Sequence, residues 1–230
     1  MGKNVVEKID DKVLVKRVLI SVSDKAGLES FAPGLLEINP ELKIYSTGGT
    51  YQRLKEILGT KAAFSLEQVS DYTGQQETQG GLVKTLDFRI YLGLLTETYN
   101  ESHQEDMKRT LSLPIDMVVV NLYPFSDTIK KENVTVEVAR SNIDIGGPTM
   151  IRAAAKNYLR VASVVSPGDY PELIAQMKQT KGKTTLATRF HLAKKAFLHT
   201  AEYDKTIAAY LNARTFDEVN SCYKSGGSHE

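Results

Sequence analysis

The chain of 230 residues has no tryptophan and a single cysteine, Cys222. One cysteine excludes an intrachain disulfide and a cysteine-rich metal cluster, and it suits a reducing compartment. The four histidines, His103, His191, His199 and His229, match no metal-ligand spacing. No apolar run approaches the roughly 18 residues of a membrane span, and the first residues lack the apolar core of a signal peptide. Charge of one sign is not in excess either. With 29 Lys and Arg against 28 Asp and Glu, the formal net charge of +1 creates no field to draw in nucleic acid or an anionic membrane. There is no Walker loop, dinucleotide fingerprint, nucleophile elbow or internal repeat. These absences predict a cytoplasmic protein with no metal, no cofactor, no nucleic-acid partner and no membrane partner.

What is present is the composition of a globular domain, 41% hydrophobic and 25% charged. Residues 1–15 carry mixed charges and weak periodicity and read as an N-terminal arm. From Arg17 the pattern sharpens into a buried-strand run to Ser23, then a helix over about 28–36 made irregular by Pro33. A second unit follows, with strand Lys43 to Thr47, turn Gly48-Gly49 and helix Thr50 to Leu58. Two consecutive β-loop-α units predict a parallel sheet flanked by helices, an α/β fold. Further strands are expected over 89–95, 115–121 and 161–165, the Val118-Val119-Val120 run being typical of a central strand covered on both faces. Helices are expected over 101–111, 135–140 and 171–178, and the stretch from Thr184 to Arg214 is mostly helical, as one helix or two. The resulting layout is an arm (1–15), one domain (16–215) with its sheet complete by about 166 and a helical extension over 170–214, and a flexible tail (216–230).

The chemistry-bearing residues fall at the carboxyl ends of the strands, where open α/β sheets bind their ligands. Ser21, Ser23 and Lys25 follow the first strand, and Thr47, Gly48, Gly49 and Thr50 follow the second. Hydroxyls, glycine amides and a lysine at helix starts suit a phosphate, and they equally suit helix capping. Asn121 and Tyr123 follow the valine run. From Ser141 to Asn157 a glycine turn, Gly146-Gly147-Pro148, should open a helix, with Asp144 just before it and Arg152 and Lys156 four residues apart on one helical face. Lys84-Thr85 lies in a loop, where a lysine is ordinarily just solvated.

Seven segments then fall into one order: Val22-Ser-Asp-Lys-Ala-Gly27, Ser46-Thr-Gly-Gly-Thr50, Val69-Ser-Asp-Tyr-Thr-Gly74, Val83-Lys-Thr-Leu86, Val120-Asn-Leu-Tyr-Pro-Phe125, Asn142 to Asn157, and Ala196-Phe-Leu-His-Thr-Ala201. From about Arg17 to Leu211 the chain resembles the inosine monophosphate (IMP) cyclohydrolase domain of the bifunctional purine-biosynthesis enzyme that also has formyltransferase activity. The resemblance implies a methylglyoxal-synthase-like fold, a homodimer, and closure of the pyrimidine ring of a formylated aminoimidazole carboxamide ribotide with loss of water. It assigns Lys84, Tyr123, Asp144 and Lys156 to catalysis, with Asp144 on the carboxamide nitrogen and Lys156, from the same or the partner subunit, on the formyl oxygen. It assigns ribotide binding to Ser21, Ser23, Lys25, Thr47, Gly48, Gly49, Thr50, Thr85, Asn121, Ile145, Gly146 and Gly147. No formyltransferase segment follows in this sequence, so a separate formyltransferase is expected to supply the substrate.

The sequence departs from the family pattern between Leu82 and Leu92. Leu82 replaces an arginine expected to touch the ligand, and Asp87 and Tyr91 replace expected histidines. Loss of one charge-assisted contact costs about 1.5–3 kcal/mol, and Arg89 could reach back to substitute. Three readings stay open: the cyclohydrolase, a non-catalytic ribotide-binding module or inactive partner subunit, and a methylglyoxal-synthase-like phosphate lyase.

Overall fold

The computed structural model describes residues 5–75, 85–224 and 226. Strand β1 (Lys12–Leu14) precedes β2 (Arg17–Val22), α1 (Leu28–Ile38), β3 (Lys43–Ser46) and α2 (Gly48–Leu58). Then come α3 (Ala62–Ser65), β4 (Leu66–Gln68), α4 (Val69–Thr73), α5 (Phe88–Leu95), α6 (Glu101–Arg109) and β5 (Met117–Asn121). The chain continues through α7 (Phe125–Ile129), α8 (Val136–Ser141), α9 (Gly146–Lys156), β6 (Ala162–Val164), α10 (Tyr170–Gln179), β7 (Lys183–Thr185), α11 (Leu186–Asn212) and α12 (Phe216–Asn220).

Five strands form a parallel sheet in the order β4-β3-β2-β5-β6. β2 and β5, the most continuous apolar runs, pair in the middle from Val18↔Met117 to Val22↔Asn121. Alternation along β2 divides the core in two. Val18 and Ile20 face α1, α2 and α10, packing with Phe31, Leu35, Leu54 and Leu173. Leu19, with Val118 and Val120 of β5, faces α5, α9 and α11, packing with Ile90, Ile151, Ala154 and Ala196. Burial on both faces is why these strands read as unbroken hydrophobic stretches.

Three stretches differ from the sequence reading, and a fourth, left open as one helix or two, is decided. The stretch 89–95, expected as a strand, is helix α5. Asp87 caps it by accepting the Arg89 amide at 2.7 Å, and Ile90 and Leu94, four residues apart, both turn into the core. A short apolar run cannot announce which period it follows. The long C-terminal stretch is a single helix, α11, of 27 residues, capped by the Thr185 hydroxyl. The arm is tied down, with β1 pairing antiparallel with β7 and the fully buried Arg189 of α11 donating to the Asp10 and Asp11 carbonyls at 2.9 and 3.2 Å. In the stretch expected as a flexible tail, Thr215 and Glu218 form a reciprocal capping box on α12.

Candidate functional site

The carboxyl ends of β2, β3 and β5 and the start of α9 enclose a cavity of about 400 Å³. Ser21 and Ser23 leave β2, Thr47 leaves β3, and Asn121 ends β5, so adjacent parallel strands deliver their last residues to one rim. Across the rim stand Thr85, Tyr123, Asp144, Ile145, Gly146 and Gly147.

The hydroxyls do not serve as helix caps. Thr47 occupies the N-cap position of α2 with no side-chain cap bond, and α1 starts from Gly27 without one. The Ser21 and Thr47 hydroxyls instead lie 3.5 Å apart on the cavity wall. Gly48 has φ 49, a left-handed angle that favours glycine. A Cβ on Gly49 would meet nothing within 4 Å, and the first amides of α2 have no intrahelical acceptors.

The loop after β2 is fixed by Asn121. Its Oδ1 accepts the Ser23 and Asp24 amides at 2.7 and 2.8 Å, and its Nδ2 donates to the Asp24 carbonyl at 2.9 Å. Asn121 therefore positions Ser23. Thr50 is likewise engaged within the fold, its buried hydroxyl accepting from the Val22 amide at 3.1 Å and donating to the Val22 carbonyl at 3.0 Å. Lys25 points back, with Nζ donating to the Ser23 carbonyl at 3.3 Å.

The opposite wall is built by Asp144. Its Oδ1 accepts the Gly147 amide at 2.9 Å, holding the carboxylate at the start of α9. Its own amide donates to the Tyr203 hydroxyl at 2.7 Å. Gly146 and Gly147 are required here for space, since both lie inside the helix and neither has a positive φ. A Cβ on Gly146 would lie 2.6 Å from the Thr85 hydroxyl, and one on Gly147 would press on the Asp144 carboxylate and stand 2.7 Å from Leu122. The glycine pair thus lets Thr85 and Asp144 close in on the helix start.

The expected convergence of Arg152 and Lys156 on this turn does not occur within the chain. Arg152 stacks over the Phe197 ring at 5.5 Å. Lys156, exposed at the far end of α9, is ten residues from Gly146, about 15 Å along the axis. Lys25, Gly48, Gly49 and Thr50 are also absent from the cavity wall. Lys84 and Leu82 lie outside the described residues. Arg89 is not on the cavity wall and donates to the Tyr72 carbonyl at 3.1 Å. Asp87 is a buried cap. The Tyr91 hydroxyl is buried, which pushes its pKa up to about 12, with the nearby Asp144 charge adding to the shift.

Sequence reasoning missed Val22, Leu86, Val120, Ser141, Ile143 and Met150 of the cavity wall, and it missed Tyr203. Ser141, Ile143 and Met150 fall within the glycine-turn stretch, but nothing local signals a tyrosine 59 residues away. Among the described residues no group of three or more His, Cys, Asp or Glu could hold a metal ion, and no helix is long and apolar enough to cross a membrane.

Comparison with known proteins places this geometry. Residues 27–149 match the MGS-like domain, and residues 154–228 match the AICARFT/IMPCHase bienzyme family. The bifunctional purine biosynthesis protein PurH of Thermoanaerobacter sp. is 52% identical over 209 residues, covering 90% of this chain and 40% of that protein. The PurH of Ruminiclostridium cellulolyticum is 46% identical, covering 86% and 37%. The chain therefore spans about two fifths of the length of the curated relatives it matches. The crystal structure of ForH superposes with a TM-score of 0.71 at 31% identity, over 84% of this chain and 97% of that one. By sequence and by fold the chain belongs to the MGS-like domain family, and its C-terminal part is similar to the AICARFT/IMPCHase bienzymes.

Proposed function

We propose that this chain is an IMP cyclohydrolase, closing the pyrimidine ring of 5-formamidoimidazole-4-carboxamide ribotide to give IMP and water in the cytoplasm. The observation that carries the reading is the two-walled cavity: the strand-end hydroxyls of Ser21, Ser23 and Thr47 on one side, and on the other the Asp144 carboxylate held by the Gly147 amide. The first wall suits the ribotide sugar and phosphate. The second suits the base.

Ring closure requires the carboxamide nitrogen to attack the formyl carbon, and the carbinolamine to lose water. An amide nitrogen is a poor nucleophile, so catalysis needs the reacting groups held together, a carboxylate to draw the N–H proton, and a cation or hydroxyl for the oxygen that gains charge. Asp144 has one oxygen fixed by Gly147, leaving the other for the carboxamide N–H. Tyr123, 42% exposed at the rim, is placed to donate to the formyl oxygen. Lys84 completes the set on the resemblance alone. Lys156 cannot reach its own cavity from the far end of α9, so it serves the partner's cavity in a homodimer. Its surroundings suit a contact surface, because Phe190 and Phe197, seven residues apart on α11, are 47% and 40% exposed.

The test is turnover of the formylated ribotide by purified protein, with Lys84→Ala and Asp144→Asn reduced toward the spontaneous rate. Equal turnover in all three would defeat the assignment. Mixing Lys84→Ala with Lys156→Ala should restore activity through hybrid dimers, and an inactive mixture would place Lys156 outside the partner's site. A second reading, a ribotide-binding module, is favoured by Leu82 in the arginine position. IMP binding by calorimetry without turnover would establish it, and a large gain in Leu82→Arg would show that this departure limits the reaction.

A further inference from the structure

The parallel sheet has a second open end. Beneath the amino ends of β2 and β5, opposite the cavity already described, lies another of about 410 Å³. The β1–β7 ribbon forms one side. Lys12 pairs with Thr185 and Leu14 with Lys183, so Lys12 and Lys183 sit diagonally on one face of the ribbon. Lys16 and Arg17, entering β2, line the same space.

Two carboxylates also face it, and both are engaged. Asp10 accepts the Tyr99 hydroxyl at 2.8 Å. Asp116 accepts the Lys16 and Arg17 amides at 2.9 and 3.0 Å through one oxygen, and pairs with the buried Arg160 at 3.2 Å through the other. Lys12, Lys16 and Lys183 have no carboxylate within 4.0 Å among the described residues. The formal net charge of the whole chain is only +1, so this gathering of cations around a concavity is local. A concave, low-dielectric wall focuses the field of such charges and raises the local concentration of anions.

We propose that this cavity binds the polyphosphate group of a small phosphorylated ligand. Three ammonium groups approaching from two directions, the ribbon and the start of β2, suit oxygens spread over two or three linked phosphates better than a single carboxylate. The volume lies in the range of small-ligand pockets. Arg160, whose guanidinium donates to the Thr96 and Ile115 carbonyls at 3.2 Å as well as to Asp116, neutralises the one buried carboxylate that would otherwise repel such a ligand.

The experiment is calorimetric titration of inorganic tripolyphosphate into the full chain, into Lys12→Gln/Lys183→Gln, and into Ser21→Ala/Thr47→Ala, which alters only the other cavity. The Ser21/Thr47 variant, which weakens only the phosphate-facing wall of the other cavity, should keep a tripolyphosphate site of wild-type affinity, and the Lys12/Lys183 variant should bind at that site at least tenfold more weakly, at unchanged Tm. Lys16→Gln provides a second, separately folded check with the same expected direction. Equal affinity in wild type and both lysine variants overturns the proposal, as does no binding at millimolar tripolyphosphate. Loss confined to the Ser21/Thr47 variant overturns it too. Tighter binding of a glutamate-rich peptide than of tripolyphosphate would assign the surface to an acidic protein partner instead.

Discussion

The two ends of the parallel sheet use polar residues differently. Beneath the amino end, the buried charged groups are satisfied by the chain itself, while the lysines around the cavity there are exposed. Arg160 bonds the Thr96 and Ile115 carbonyls and Asp116. Arg189 bonds the carbonyls of Asp10, Asp11, Tyr158, Thr184 and Leu159. At the carboxyl end the bonded groups are loop anchors, Asn121 and Thr50, while the Ser21, Ser23 and Thr47 side chains line open space. A buried charge left unpaired costs several kcal/mol, so this buried layer of the amino end, Arg160, Arg189 and Asp116, serves stability. The carboxyl end keeps hydrogen-bonding capacity for a ligand.

Substitutions test this division in order of expected size. Arg160→Leu leaves Asp116 buried without its partner and should lower unfolding free energy by about 3–5 kcal/mol, measured by urea denaturation. Asp144→Asn keeps an oxygen for the Gly147 amide and removes the charge. Turnover should fall roughly 100- to 1000-fold, about 2.7–4 kcal/mol in the barrier, with the urea midpoint almost unmoved; a matching loss of stability would break the contrast between the ends. Tyr203→Phe deletes the acceptor of the Asp144 amide. A loss of about 0.5–1.5 kcal/mol should fall on kcat more than on KM if the Asp144 loop is what it holds.

The smallest effect concerns pH. Burial holds the His199 imidazole below its ordinary value of 6.5, and its Nε2 is buried without a partner. The unfolded chain therefore takes up this proton first on acidification. The neutral ring's contribution is complete above about pH 6.5 and is lost as pH falls through that value toward the folded one. His199→Gln should flatten the dependence of Tm between pH 7 and 5, each unit of pKa depression being worth about 1.4 kcal/mol, and an unchanged slope would remove His199 from the account.

The parallel sheet was legible because strands covered on both faces leave continuous valine and isoleucine runs, as at Arg17–Val22 and Met117–Asn121. The rim of the cavity was legible for a related reason: in a parallel sheet all carboxyl ends meet on one side, so Ser21, Thr47 and Asn121 are neighbours once the strands are known. Helix α5 reads equally as a strand because a mostly apolar run of eight residues satisfies either period, and the cap that decides it, Asp87, is a single side chain. Lys156 was grouped with Asp144 from proximity in sequence, although ten residues of helix separate the ends of α9. Arg189 and Tyr203 were invisible because each acts on a partner far away in the chain, and a sequence pattern carries only short-range order.

Helix α11 joins the two ends. Near its start Arg189 clasps the arm, and fourteen residues later, about 21 Å along the same rod, Tyr203 receives the Asp144 amide. For anyone trimming this chain into a minimal working unit, the last sheet strand is therefore the wrong place to cut. A fragment ending after Val164 would contain every strand of the parallel sheet and yet leave the Asp144 turn without its brace. The shortest functional piece is set by the reach of one tyrosine.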